Sequence, residues 1–243
     1  MAPQTDLSQA KAPPDTRIYA IGDIHGRIDL LSVLLRQVAE DAANAPEARR
    51  VIVYLGDYVD RGPDSAAVLD TLTSDLPDRF ERVCLKGNHE ALFLEFLDNA
   101  DDGSLWLANG GDKTMESYGV TVVDDPLGMP MMHDALARAI PDAHLRFLRS
   151  LALSHREGDY FFAHAGVRPG TPLDSQREED LIWIRDEFLR APAPHECVVV
   201  HGHTPVREAE IHANRIAVDT GAVWSERLTA LVLYGGERRF LHT

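Results

Sequence analysis

Five short apolar runs, each ending at a turn that carries Asp, Asn or His beside glycine, constrain this chain more than any other feature. Residues 18–21 (IYAI) run into Gly22-Asp23-Ile24-His25-Gly26, and residues 51–55 (VIVYL) into Gly56-Asp57-Tyr58-Val59-Asp60-Arg61-Gly62. Residues 83–86 (VCLK) lead to Gly87-Asn88-His89-Glu90, 160–163 (YFFA) to His164-Ala165-Gly166, and 198–200 (VVV) to His201-Gly202-His203. Runs of this length and composition read as buried strands, and glycine lets the backbone turn sharply as it leaves each one. In open α/β sheets, ligand sites form beyond the carboxyl ends of strands, so a rigid sheet can gather residues distant in sequence. A single Gly-Asp turn or strand-end His is ordinarily structural. Turns alone, however, do not select Asp, His, Asn and His after five apolar strands.

Between these runs the periodicity turns helical. Leu31, Leu34, Leu35 and Val38 recur on one face of a helix predicted over 28–43. Pro63 opens the next helix, its fixed φ suiting a first turn, and 67–72 continue it. Further helices are expected over 90–97 and from Pro141 to 151. Residues 98–135 read as helical turns and a loop covering the site, with Asn109-Gly110-Gly111-Asp112 as a helix-connecting turn first and a loop reaching the site rim second. Strands are predicted over 160–163, 198–200, 215–218 and 228–234, interrupted by a helix over 178–189. The order βαβαβα followed mostly by β predicts an α/β chain of two packed mixed β-sheets flanked by helices. One domain is expected over 16–243. Residues 1–15, rich in Pro, Ala, Gln and Asp without a period, are expected to form a disordered leader.

The formal net charge of -15 argues against nonspecific binding to nucleic acid, which relies on clustered Lys and Arg. It leaves phosphate substrates open, because bound cations reverse a local field. No run approaches the roughly 18 to 20 apolar residues that cross a membrane, and the first sixteen residues lack the apolar core of a secretory signal. Cys84 and Cys197 sit inside apolar runs and read as small buried hydrophobes. A cytoplasmic protein is expected.

Taken in order, GDIHG, GDYVDRG, GNHE, HAG and HGHTP resemble the motifs of the phosphoprotein phosphatase family, the serine/threonine branch of the calcineurin-like metallophosphoesterases. The resemblance extends from about residue 17 to about 224, and bacterial and phage-type members are the most similar. It implies a four-layer sandwich holding two divalent ions, Mn2+ first and Fe or Zn as alternatives. Carried over motif by motif, it implies that Asp23 and His25 bind the first metal, that Asp57 bridges both, and that Asn88, His164 and His203 complete the second site. His203, directly before Thr204-Pro205, matches the family ligand; His201 then reads as a packing residue. Trp183-Ile184-Arg185 matches an Arg that follows a Trp in such proteins.

Two metals roughly 3.5 to 4 Å apart can activate a bridging water for in-line attack on phosphorus. Arg61 and Arg185 are the candidates to hold the phosphoryl charge, since guanidinium matches phosphate oxygens bidentately. Arg168 is a weaker candidate, equally readable as a surface charge. His89 is the candidate general acid, with Asp60 fixing its tautomer and raising its pKa. His133, His144, His155, His195, His212 and His242 read as surface or capping residues, and Asp219-Thr220-Gly221 as support behind the site. The expected activity is a metal-dependent phosphomonoesterase, a serine/threonine protein phosphatase, acting on a phosphorylated protein or a small phosphate ester. No segment that would recruit a regulatory subunit is evident. The alternatives are a symmetrical dinucleoside tetraphosphate hydrolase, a metal-free binding module and a nuclease. Asp60 and Glu90, where the hydrolases resemble GDLxxRGP and GNHD, favour the phosphatase.

Overall fold

The computed structural model describes residues 7–75, 80–123, 128–192 and 195–243. Three strands open the chain, β1 (Thr16–Ile21), β2 (Arg49–Tyr54) and β3 (Phe80–Cys84). They are joined by α1 (Ile28–Ala43) and α2 (Ser65–Thr73), and α3 (Asn88–Asp98) follows. The second half supplies β4 (Ser154–Glu157), β5 (Tyr160–Ala163), β6 (Val198–His201), β7 (Glu210–Ile211) and β8 (Arg215–Ala217). The chain ends in the hairpin β9 (Thr229–Tyr234) and β10 (Glu237–His242).

These strands form two five-stranded sheets, ordered β10-β9-β1-β2-β3 and β4-β5-β6-β8-β7. In the first, β1, β2 and β3 are parallel while β9 runs antiparallel to β1 and β10. In the second, β5, β6 and β8 are parallel, with β4 and β7 as antiparallel edges. Side chains alternate across a strand, and this alternation divides the core. Ile18 and Ala20 of β1, Val51 and Val53 of β2, Tyr160 and Phe162 of β5 and Val198 and Val200 of β6 all pack between the sheets. Tyr19, Ile21, Ile52 and Tyr54 point the other way, onto Leu31, Leu34 and Val38 of α1 and Val68 and Leu72 of α2. Phe161, Ala163 and Val199 turn outward from the second sheet onto Leu181, Ile182 and Phe188. Helices, sheet, sheet and helices therefore stack as the expected four layers.

Several elements depart from the sequence-based expectation. α2 begins after Asp64, whose carboxylate accepts from Ala67 N–H at 3.0 Å, so Pro63 precedes the helix rather than opening it. α3 starts at Asn88 instead of Glu90, because the Glu90 carboxylate accepts from Gly87 N–H at 2.9 Å and caps a turn that includes the motif. The helix expected over 178–189 is broken: Ile184 is extended, and separate helices span Glu178–Trp183 and Asp186–Leu189.

Residues 1–6 of the expected leader lie outside the described residues. Residues 7–15 are not disordered. Ala10 and Ala12 are buried, Leu7 N–H donates to Ala213 O, and Arg238 Nη2 donates to Leu7 O and Ala10 O at 2.6 Å. His144 is likewise no surface residue. It is buried between Tyr118 Oη at 2.8 Å and Asp70 Oδ1 at 3.0 Å. Among the described residues no helix is long and apolar enough to cross a membrane, and both cysteines are unpaired.

Candidate metal centre

The C-terminal ends of β1, β2, β5 and β6 open toward one place, and the turns that leave them are conformationally costly. His25, Asp57, Asp60, Arg61 and His203 all have positive φ, five of the seven such non-glycine residues among those described. Strain of this kind persists where surrounding structure over-determines it, and clusters at functional sites. Two glycines make the approach possible. A Cβ on Gly87 would strike the Asp57 carboxylate, and one on Gly202 would strike that of Asp23.

Asp57 is the hub. His25 Nε2 lies 3.6 Å from its Oδ2, His89 Nε2 3.9 Å from the same oxygen, and His164 Nε2 3.4 Å from Oδ1. Ligand atoms of His25, Asp57 and His89 lie within 4.8 Å of one another, as do those of Asp57, His164 and His203. Two groups thus share one carboxylate. Asn88 joins the second group, its Oδ1 3.0 Å from His164 Nε2. Asp23 is not among the atoms of the first group; it lies close enough to Asp57 to feel its charge, and its carboxylate accepts from His203 N–H at 3.0 Å. His201 is buried at the end of β6 with its ring edge against Phe188, as a packing residue.

The donor set fits cations. His25 Nδ1 is committed to Val59 O at 2.8 Å and His164 Nδ1 to Leu55 O at 2.9 Å. In the neutral imidazoles this tautomer leaves each Nε2 lone pair facing Asp57. His164 Nε2, Asn88 Oδ1 and Asp57 Oδ1 then converge as lone-pair atoms, with His203 Nδ1 3.2 Å from His164 Nε2, an arrangement that a positive charge at its centre would stabilise. Asp23, Asp57, Glu90 and Asp219 are buried with no Lys or Arg within ion-pair distance among the described residues. Burial, then repulsion from Asp219 and Asp57, pushes the Asp23 carboxyl well up. Burial likewise lifts Asp219 to about 6. Burial pulls His25 down to about 3 and His203 to about 2. At His164 burial is outweighed by the Asp57 charge and hydrogen bond, and the imidazole is raised. Buried anions facing imidazole lone pairs are the environment in which a hard divalent cation is held.

His89 and Asp60 form a second, drier pair. His89 Nδ1 is 2.7 Å from Asp60 Oδ2. Trp106 Nε1–H donates to both Asp60 oxygens at 3.1 and 3.0 Å, and Thr114 Oγ1 donates to Oδ1 at 2.6 Å. His89 Nε2 is buried without a partner among the described residues. Burial lowers His89 to about 4, against the expectation that Asp60 would raise it. Burial also pushes the Asp60 carboxyl well up.

Arg61 Nη1 donates to His25 Nε2 at 2.9 Å, and Arg61 N–H donates to Gly110 O at 3.0 Å. Gly110 therefore meets Arg61 at the site rim, the reading of residues 109–112 placed second to a helix-connecting turn. Arg185 is exposed at the break between two helices, near enough to His203 for its charge to lower that imidazole. Trp183 meets His203 edge-on at 6.1 Å. Arg168 is not free for phosphate. It donates to Asp180 Oδ1 at 2.6 and 3.0 Å and to Glu187 at 3.0 and 3.1 Å.

Sequence reasoning passed over Trp106, Thr114 and the structural part of Glu90. Glu90 could have been found as the acidic third residue of a helix starting at Asn88, and its carboxylate accepts from Asp57 N–H at 2.8 Å and Tyr58 N–H at 2.7 Å. Nothing local marks Thr114.

The profile of the family described as calcineurin-like phosphoesterase matches residues 16–235. The chain is 29% identical over 237 residues to the serine/threonine-protein phosphatase 1 of Salmonella typhimurium, covering 94% of this chain and 97% of that protein. It is 26% identical over 230 residues to the bis(5'-nucleosyl)-tetraphosphatase PrpE (asymmetrical) of Anoxybacillus flavithermus, covering 87% and 88%. Among solved structures, one described as a putative diadenosine tetraphosphatase superposes with a TM-score of 0.64 at 24% identity, covering 97% of this chain and 98% of that one.

Proposed function

We propose that this chain, which belongs to the calcineurin-like phosphoesterase family, is a serine/threonine protein phosphatase that hydrolyses phosphomonoesters with two divalent cations, manganese first among them. The observation that carries the phosphoesterase chemistry is the Asp57 carboxylate shared between two imidazole groups. His25 and Asp57 would hold one cation, with Asp23 beside them, and Asp57, Asn88, His164 and His203 the other. When bound, such a pair supplies Lewis-acid charge and water activation at neutral pH.

The remaining chemistry belongs to the chain. Arg61 and Arg185 bind the phosphoryl oxygens from two sides, and guanidinium forks match that planar spread of charge. His89 hands a proton from Nε2 to the leaving oxygen, while Asp60 orients the ring through Nδ1. Trp106 and Thr114 hold Asp60 in place and keep water from it. No Ser or Cys nucleophile is required, in keeping with Cys84, whose thiol burial pushes up to about 12.

The protein-phosphatase reading is supported by the name of the Salmonella relative and by Asp60 and Glu90 in the motifs. A second reading, hydrolysis of dinucleoside tetraphosphates, is favoured by the name of the Anoxybacillus relative. Side-by-side rates on a phosphoserine peptide and on diadenosine tetraphosphate, both with manganese, decide between them. Faster turnover of the dinucleotide would overturn the first reading.

A further inference from the structure

Three tryptophans occupy three different situations: Trp106 is sealed beneath Asp60, Trp183 is 39% exposed and Trp224 is 64% exposed. An indole this open presents a face that a cation can use. The segment that carries it is docked onto the site rather than hanging free. Arg27 Nη1 donates to Ala222 O at 2.9 Å, Asp219 Oδ1 accepts from Gly221 N–H at 2.8 Å, and Val206 N–H donates to Asp219 O at 3.0 Å. A Cβ built on Gly221 would lie 3.3 Å from Trp224 and 3.7 Å from Pro205, so the indole stands beside the turn that follows His203.

The face of Trp224 carries Arg61, whose guanidinium carbon is 5.4 Å from the ring centroid. Among the described residues the Arg61 side chain has one hydrogen-bond partner, His25 Nε2. That nitrogen is the lone pair His25 turns toward Asp57, because Nδ1 is committed to Val59 O. A cation on His25 and the Arg61 guanidinium cannot use one lone pair together. With a cation there, the indole is the contact left to hold Arg61.

We propose that Trp224 is a positioning residue that seats the Arg61 guanidinium by a cation–π contact, so that its N–H groups point at a phosphoryl oxygen when His25 is taken by a cation. This rests on the reading of Arg61 as a phosphate ligand, and on no particular choice of ester. Arg61 also has positive φ and is pinned at its own N–H by Gly110 O, so its backbone is fixed and only the outer side chain needs a guide.

The test compares Trp224→Leu with Trp224→Phe, alone and in an Arg61→Ala background. Affinity for inorganic phosphate is measured by calorimetry on the manganese-loaded protein, beside KM and kcat for p-nitrophenyl phosphate. Trp224→Leu is expected to weaken phosphate and raise KM by about 2- to 5-fold, the range of one exposed cation–π contact, with the loss carried by KM rather than kcat. Trp224→Phe, which keeps an aromatic face, recovers most of it, and Trp224→Leu adds nothing once Arg61 is Ala. Equal losses for Leu and Phe, or an undiminished Trp224→Leu effect in the Arg61→Ala background, overturn the proposal. Phosphate affinity is read without any ester, so a wild type that ignored phosphoserine peptides would sink the protein-phosphatase reading and leave this comparison standing.

Discussion

His89 Nδ1 and Asp60 Oδ2 lie 2.7 Å apart with both side chains sealed from solvent, while the opposite nitrogen of the same imidazole faces Asp57 Oδ2 at 3.9 Å. One ring thus joins a carboxylate that fixes its tautomer to the carboxylate shared by the two imidazole groups. A proton delivered from Nε2 arrives beside the place where a phosphoryl group would sit.

Replacing His89 with Asn removes that proton and leaves His25 and Asp57, with Asn88, His164 and His203 of the second group, in place. Turnover of a phosphoserine peptide should fall by about 10²- to 10⁴-fold, the usual range for one general acid. The loss on p-nitrophenyl phosphate should be smaller, because nitrophenolate leaves with little help. Manganese content should match the wild type. Equal losses on the two substrates would remove His89 from the acid role.

Because Asp57 belongs to both groups, Asp57→Ala should abolish binding of both cations, whereas Asn88→Ala should weaken only the one near His164. Elemental analysis after dialysis against manganese reads this directly as two, one or none per chain. Cations that bind only the folded state raise stability, by about 2.7 kcal/mol per site at 100 times Kd. Thermal unfolding with and without chelator should therefore separate the wild type by twice the margin seen for Asn88→Ala. An unchanged stoichiometry in Asp57→Ala would end the two-cation reading.

Arg168 and Arg185 should behave differently although they lie close in sequence. The Arg185 carbonyl accepts from Phe188 and Leu189 N–H, but its guanidinium has no hydrogen bond or ion pair among the described residues, and Arg185→Ala should lower kcat/KM by about 10- to 100-fold, as expected for a lost charged hydrogen bond. Arg168 is committed to Asp180 and Glu187, and it fastens the loop after His164 to the helices on either side of Arg185. Arg168→Ala should cost no more than about fivefold, the scale of an exposed ion-pair cluster. A loss equal to that of Arg185→Ala, at unchanged melting temperature, would return Arg168 to the list of phosphate ligands.

Far from the site, Asp41 on α1 gathers Arg17 Nη1 at 3.0 Å, Tyr19 Oη at 2.7 Å and Arg239. Burial works to raise this carboxyl, but the Tyr19 and Arg239 hydrogen bonds and the Arg239 and Arg17 charges outweigh it, and the net shift is downward from 3.8. A depressed carboxyl stabilises the fold above its unfolded pKa and loses that contribution as pH falls through the folded value. Asp41→Asn should therefore be less stable than wild type in urea at pH 7, with the gap narrowing below about pH 3.9. A gap that widened on acidification would contradict the network.

Much of this arrangement was legible in the chain. The 28–43 helix is found with the predicted limits, since Leu31, Leu34 and Val38 recur at helical spacing along its buried face. The strands that lead to Asp57, His164 and His203 could be read because they are apolar on both faces and run into turns that carry glycine. β4 (SHRE) and β7 (EI) could not. They are short, polar or exposed edges, strands only because β5 and β8 offer them hydrogen bonds. Residues 7–15 carry no periodicity, yet the carbonyls of Leu7 and Ala10 meet Arg238 from the far end of the chain.

The sequence by itself determined which side chains could hold cations and that each leaves a strand at a sharp turn, because residue type and local apolar runs are properties of contiguous chain. Only the tertiary structure decided that Trp106 and Thr114 hold Asp60, that Arg168 is used up by Asp180, and that Trp224 stands over Arg61. Hydrogen bonds and burial depend on distance through space. For pairs 46 and 54 residues apart, that distance is set by how the helices pack on the sheets, which no local pattern encodes.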